Sequence, residues 1–302
     1  MGHDHNHGVD KRSYDKAFAV GILLNTAFIT AEIIYGIQAN SLALLADAGH
    51  NAGDVLGLVL AWGAAILAKK KSSERFTYGL QSSTIMAALT NAILLLVAVG
   101  GIGWEAIKRF ENVETNINSQ TVIWVALFGI FVNGITAFFF MSGGKKDLNI
   151  RGAFLHMAAD ALVSLGVVIS GIVMMKTGWL LIDPIVSLVI AAMIVAGTWK
   201  LLTDSVKLAL HAVPENVDYA KVKTYLAGLE NVKEVHDLHI WAMSTSDVAL
   251  SAHLLMQNQP DQNFLREVEH ELDHDFGINH STIQIEVGDS AKKCELVKRH
   301  NH

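Results

Sequence analysis

Apolar residues fill the first two thirds of the chain in six long runs separated by short polar connections. A helix needs about 20 apolar residues to cross the hydrocarbon core of a bilayer. Ala17–Ile37, Leu42–Ala68, Ser83–Trp104, Thr121–Met141, Ala153–Met175 and Trp179–Leu202 all meet that length. After Val213-Pro214 the pattern becomes that of a soluble domain. Val217–Leu229 has the spacing of an amphipathic helix, Val232–Met243 and Val248–Met256 read as strands, Phe264–Phe276 as a second helix and Thr282–Val287 as a last strand. The expected fold class is an α-helical membrane protein of six transmembrane helices with a small C-terminal α+β domain. Residues 1–16 are expected to form a polar N-terminal segment, 17–210 the transmembrane domain, and 211–302 the second domain with its tail.

Composition agrees with a bilayer as surroundings. With 51% hydrophobic and 17% charged residues, the chain is too apolar for an ordinary soluble domain. The net charge of −6, without a basic block, argues against nucleic acid as a partner. Lys11, Arg12 and Lys16, the KKKSSER connection and SGGKKDLNIR fall on one side of the spans; QANS, EAIKRFENVETNIN and KTG fall on the other. The positive-inside rule then places both termini in the cytoplasm of a protein in the cell's inner (plasma) membrane. The first run continues to Ile37 without a small-residue cleavage site, so it is expected to be a retained helix and not a signal peptide. Cys294 is the lone cysteine, which excludes an intrachain disulfide.

The chemistry lies in two matching phrases, His50-Asn51-Ala52-Gly53-Asp54 on the second span and His156-Met157-Ala158-Ala159-Asp160 on the fifth. Positions i and i+4 share a helix face, so each phrase aims an imidazole and a carboxylate in one direction. Two such helices can close a four-ligand cage. At about 1.5 Å per residue, His50 and Asp54 lie roughly 12–20 Å along the second helix, and an antiparallel fifth helix brings His156 and Asp160 to the same depth. Charges at membrane depth cost at least about 2.5–3.5 kcal/mol each, which marks such residues as functional. Two imidazoles and two carboxylates in a tetrahedron suit zinc, and cobalt or cadmium would also fit. Ligands bind metal deprotonated, so metal entry displaces protons and metal exit lets them return; cation/proton exchange is the expected coupling. The repeated phrase also points to two halves of three helices, one inverted relative to the other. Asp47 is read as a mouth carboxylate or a helix N-terminal charge. Glu32 is placed near the exit or the interface, and Asn25, Asn91 and Asn133 in interhelical hydrogen bonds.

SLALLADAGHNAGD at Ser41–Asp54, HMAAD on the fifth span, Asp183-Pro184 opening the sixth, and HDLHIW at His236–Trp241 resemble the motifs of the cation diffusion facilitator family of divalent-metal exporters. The resemblance spans nearly the whole chain. It implies a ferredoxin-like cytoplasmic domain, a homodimer, and metal export by alternating access in exchange for protons. Histidine at both first positions resembles the zinc-type branch. Two departures stand out: KKKSSERFTYG after the second span offers only Glu74 where some members carry an Asp/His site, and Ser82 and Thr84 stand where many have an Arg and a Glu.

The resemblance also makes His236, His239, His253, His280 and Glu286 candidates for zinc binding in the cytoplasmic domain, at its dimer contact. His236 and His239 are an odd number of residues apart, so a regular strand points them to opposite faces. The expected grouping is therefore His239, His253 and Glu286, with His236 in another site. Gln284 replaces a histidine that some relatives have two residues before the final acid. His3, His5, His7, Cys294, His300 and His302 are further candidates for gathering cytosolic zinc. A metalloenzyme is not expected, because a closed shell of two His and two Asp leaves no position for a substrate water and the chain is expected to lack H-E-x-x-H. A membrane metal sensor is the other alternative, and its natural place is regulation of the transporter itself.

Overall fold

The computed structural model describes residues 11–112, 116–141 and 148–288, and the side chains of 25–112, 116–138 and 154–288. The N-terminal histidines His3, His5 and His7, together with Cys294, His300 and His302, lie outside the described residues. Six long helices come first: α1 (Lys11–Gln38), α2 (Leu42–Ala68), α3 (Ser83–Glu111), α4 (Ser119–Met141), α5 (Leu148–Thr177) and α6 (Ile182–Ala209). Five of them, α2 to α6, are long and apolar enough over their described residues to cross a membrane. The 28-residue α1 carries the run Ala17–Ile37. Then follow α7 (Tyr219–Ala227), β1 (Val232–Ala242), β2 (Val248–Met256), α8 (Phe264–Phe276) and β3 (His280–Val287). The described residues divide into two compact units, one drawn from Met1–Val59 and Asn91–Trp199, the other from Leu60–Thr90 and Lys200–His302.

In the first unit the usual radial order of a soluble protein is inverted. Large apolar side chains such as Val97, Trp104, Trp124 and Leu162 are exposed along the spans, whereas Ala39, Ala43, Ala46 and Ala48 and the hydroxyls Ser41, Ser164, Ser170 and Ser187 are buried. Lipid tails are as apolar as leucine, so membrane helices associate through close backbone approach and interhelical hydrogen bonds. Gly171 on α5 shows the closeness: a Cβ there would lie 3.4 Å from the Ser119 carbonyl oxygen and the Ile123 nitrogen of α4.

One buried knot fixes the start of α2. The first turn of a helix has N–H groups without intrahelical partners, and Asp183, fully buried at the start of α6, accepts from Leu42 N at 2.8 Å, Ala43 N at 3.4 Å and Ser41 Oγ at 2.5 Å. Ser41 Oγ in turn accepts from Leu44 N. The buried charge is matched by Arg109 from the last turn of α3, with Nη1 3.5 Å from Asp183 Oδ2. The same guanidinium donates to the Asn40 carbonyl at 2.7 Å and to Asn40 Oδ1 at 2.8 Å, which holds Asn40 at φ +53°. Three helix ends are thereby tied to one carboxylate.

In the second unit the order α-β-β-α-β gives a three-stranded sheet, β1 antiparallel to β2 and β2 parallel to β3 through the α8 crossover. Leu250, Leu254 and Met256 on β2 point into a core with Leu238, Ile240, Val222, Leu226, Val268 and Leu272. Asp218 caps α7 by accepting from Ala220 N and Lys221 N, and Gly277, left-handed at φ +67°, ends α8. The helix and strand bounds of this domain agree with the sequence pattern to within two residues. The start of α3 is joined to the β1–β2 turn: Ser82 Oγ donates to the Met243 carbonyl at 3.1 Å, and Thr245 N donates to Thr84 Oγ1 at 3.0 Å. At these two positions the chain sets hydroxyls against turn backbone.

That turn is closed by Asp247, which accepts from Ser244 Oγ at 2.5 Å and from Asn279 Nδ2 at 2.9 Å. The Ser244 bond, chiefly, holds its carboxyl below the usual carboxylate range. A lowered folded-state pKa contributes stability that is present above the unfolded value, about 3.9, and is lost as pH falls through the folded one. Acid titration of the turn, read by hydrogen exchange at Val248 and Thr245, should show loosening below about pH 4. Asp247→Asn should lack that acid step; an unchanged profile would remove the carboxylate from the account.

Candidate metal centre

The two His/Asp phrases come together on α2 and α5. His50 Nε2 lies 3.3 Å from Asp160 Oδ1, and His156 Nε2 lies 3.2 Å from Asp54 Oδ2 and 3.7 Å from Asp160 Oδ2. Within α2, His50 Nδ1 is 4.0 Å from Asp54 Oδ2. Ligand atoms of Asp54, His156 and Asp160 all lie within 4.8 Å of one another, and the two imidazoles stand edge to face at 6.1 Å. Bonds of about 2.0–2.2 Å in a tetrahedron set neighbouring donors roughly 3.3–3.6 Å apart, close to these separations. Asp160 is 1% exposed and neither of its oxygens has a hydrogen-bond donor, while the other three side chains are 26–43% exposed. A buried carboxylate without donors requires a cation or a proton.

The pairs follow one register. His50 meets Asp160, Asp54 meets His156, and one turn further Asp47 Oδ2 accepts from Ser164 Oγ at 2.9 Å. As residue numbers rise along α2 they fall along α5, as for antiparallel neighbours. Asp47 and Glu32 are both fully buried, so Asp47 is neither a mouth residue nor a free helix-end charge, and Glu32 does not reach the interface. Asn51 and Asn133 are buried as well, each with an amide nitrogen lacking an acceptor. Hydropathy alone could not show this second polar layer, because burial depends on which face of α1 meets α2.

In the sheet the expected grouping changes. His253 sits directly opposite His236, with rings 5.3 Å apart, and its Nδ1 is 3.1 Å from Glu286 Oε1; His236 Nε2 is 3.4 Å from Glu286 Oε2. The trio placed together is thus His236, His253 and Glu286, in place of His239, His253 and Glu286. The reason is a register shift between His236 and His239, where Asp237 takes φ +50°. A bulge of this kind resets the two-residue alternation, so the parity argument that separated the two histidines fails. His239 pairs with Ser251, two residues from His253 and on the same face, and its Nε2 contacts Asp237 Oδ1 at 3.0 Å. Asp237 Oδ2 reaches His253 Nε2 at 3.7 Å, an acid that the sequence reading did not single out. His280 stands apart from this group, edge-on to Tyr78 at 5.4 Å.

Comparison with known proteins decides what these sites belong to. Residues 18–208 match the cation efflux transmembrane domain and 214–287 match the cation efflux protein cytoplasmic domain. The chain belongs to the cation efflux, or cation diffusion facilitator, family. This cation diffusion facilitator is 35% identical to the cadmium, cobalt and zinc/H(+)-K(+) antiporter of Bacillus subtilis, over 100% of the chain and 99% of the relative. It is 32% identical to the zinc transporter ZitB of Escherichia coli over 100% and 99% of the two chains. A solved metal-bound C-terminal domain of the CzcD transporter from Cupriavidus metallidurans is 35% identical over 23% of this chain and 99% of that one, with a TM-score of 0.22. As a member of this family the chain is an integral membrane transporter.

The pattern H-E-x-x-H, absent from the spans, does occur in this facilitator: His270-Glu271-Leu272-Asp273-His274 on α8. The expectation that the chain lacks this pattern is corrected by these five residues.

Proposed function

We propose that this cation diffusion facilitator exports zinc across the cell's inner membrane in exchange for protons, and that the zinc it carries is held by His50, Asp54, His156 and Asp160. The observation that supports this most directly is the convergence of two nitrogens and two carboxylates from α2 and α5 at 3.2–4.0 Å, with Asp160 buried and without a donor. Zinc is favoured by the tetrahedral mixed nitrogen and oxygen set, and cobalt and cadmium are accepted by the same donors. The names of the Bacillus and Escherichia relatives are in line with this range. Protons replace the ion at the same four side chains when it leaves, which couples the two fluxes. Both termini and the second domain lie in the cytoplasm, two copies assemble through that domain, and His236, His253 and Glu286 with Asp237 and His239 hold zinc there. These cytoplasmic ions report metal supply to the transporter.

The test uses the full chain in proteoliposomes loaded with a pH-sensitive dye. An imposed zinc gradient should drive proton flux of the opposite direction, and an imposed pH gradient should drive zinc uphill. Zinc flux indifferent to pH would remove the exchange step. Proton flux without zinc would remove the cargo.

A further inference from the structure

We propose that α8 carries a separate, exchangeable site for a divalent transition-metal cation, formed by His270 and His274 on the solvent face of the cytoplasmic domain. α8 buries Val268 and Leu272. At 100° per residue, His270 and His274 lie on the opposite side of the helix, one turn apart. Both are exposed, and their rings are parallel within 8° with centroids 6.0 Å apart. Imidazoles at i and i+4 form a two-nitrogen chelate whose formation leaves the helix backbone in place. Glu267, one turn before His270 and also exposed, lies on the adjoining strip of the helix and can add an oxygen.

A second observation orients one ligand. His274 Nδ1 is 2.6 Å from Asp275 Oδ1. A carboxylate accepts but does not donate, so Nδ1 carries the proton and the lone pair rests on Nε2. A metal-bound histidine whose other nitrogen donates to a carboxylate is the usual outer-shell arrangement, fixing tautomer and raising ligand basicity. Two imidazole nitrogens select zinc, cobalt, nickel or copper over magnesium or calcium.

The same motif in hydrolases uses its glutamate as a general base. Here Glu271 lines a groove with Tyr225, Met256 and Val268, a groove to which neither histidine contributes. With both histidines on open surface and the glutamate lining a separate groove, the site binds metal without hydrolysing anything. Solvent on all sides of the ion makes exchange fast, suited to taking up cytosolic metal and releasing it.

The experiment uses the full-length protein in detergent micelles with zinc alone as the probe. Carbethoxylation of individual histidines by diethyl pyrocarbonate is read by peptide mass spectrometry. Zinc should protect His270 and His274 together, in parallel, by at least fivefold. In His270→Gln the protection of His274 should vanish, and in His274→Gln that of His270. Asp275→Asn should raise the zinc concentration for half-protection about 10-fold, at the lower end of the range for loss of an outer-shell partner. Asp160→Asn should leave the α8 pattern intact, which separates failure here from failure of the transport assignment. Protection of either histidine that survives loss of the other, or no protection at zinc levels that shield His253, would overturn the chelate.

Discussion

Asp160→Asn is expected to reduce zinc transport by more than about 100-fold, beyond the 10–100-fold that losing an outer-shell partner costs a metal site. The substitution keeps the volume and removes one charged oxygen. Asp160 is the most buried of the four, and both histidines contact it, His50 at 3.3 Å and His156 at 3.7 Å. Without its charge, a dication at this depth meets only Asp54 as a counter-ion, and dehydration of the ion is no longer offset. The folded protein should tolerate the change, because the amide keeps the shape of the side chain and still offers an oxygen to the two imidazoles. Zinc flux into proteoliposomes, with elution as a single species from size exclusion as the folding control, checks both halves. Flux above a tenth of the wild-type rate would take Asp160 out of the coordination shell.

Asp183→Ala is expected to be the most damaging single change for stability. It leaves Arg109 buried without its carboxylate and strips partners from Leu42 N, Ala43 N and Ser41 Oγ at once. Removing one member of a buried ion pair costs about 3–5 kcal/mol. Thermal unfolding in detergent should show a large fall in midpoint. Asp183→Asn, which can still accept from the α2 amides, should lose less, and Arg109→Met combined with Asp183→Ala should recover part of the loss. If Asp183→Ala unfolds like the parent, the knot at the start of α2 contributes little.

The contrast between these residues shows what a sequence can carry. His50, Asp54, His156 and Asp160 were legible because the i and i+4 spacing is a local rule and the same phrase occurs twice, and the six apolar runs were legible because bilayer thickness sets their length. Asp183 could be seen as a motif residue but not as the cap of α2, since its partners lie about 140 positions away. His236 and His239 were separated by a parity rule that assumes a regular strand; the bulge at Asp237 is a tertiary decision that nothing in HDLHIW announces. The burial of Glu32 was hidden for a like reason, because its helix has no marked polar face and only packing shows which side turns inward.

The shared register of α2 and α5 bears on how cargo is let go. Each helix contributes one nitrogen and one oxygen, and the shortest contacts run across the seam between helices instead of along either one. Parting the two helices by a small shear therefore divides the cage into two bidentate halves, neither able to retain a naked dication against water. On the proposed ligand assignment, grip and gate would be a single movement, and the ion's departure would need no side chain to change its rotamer.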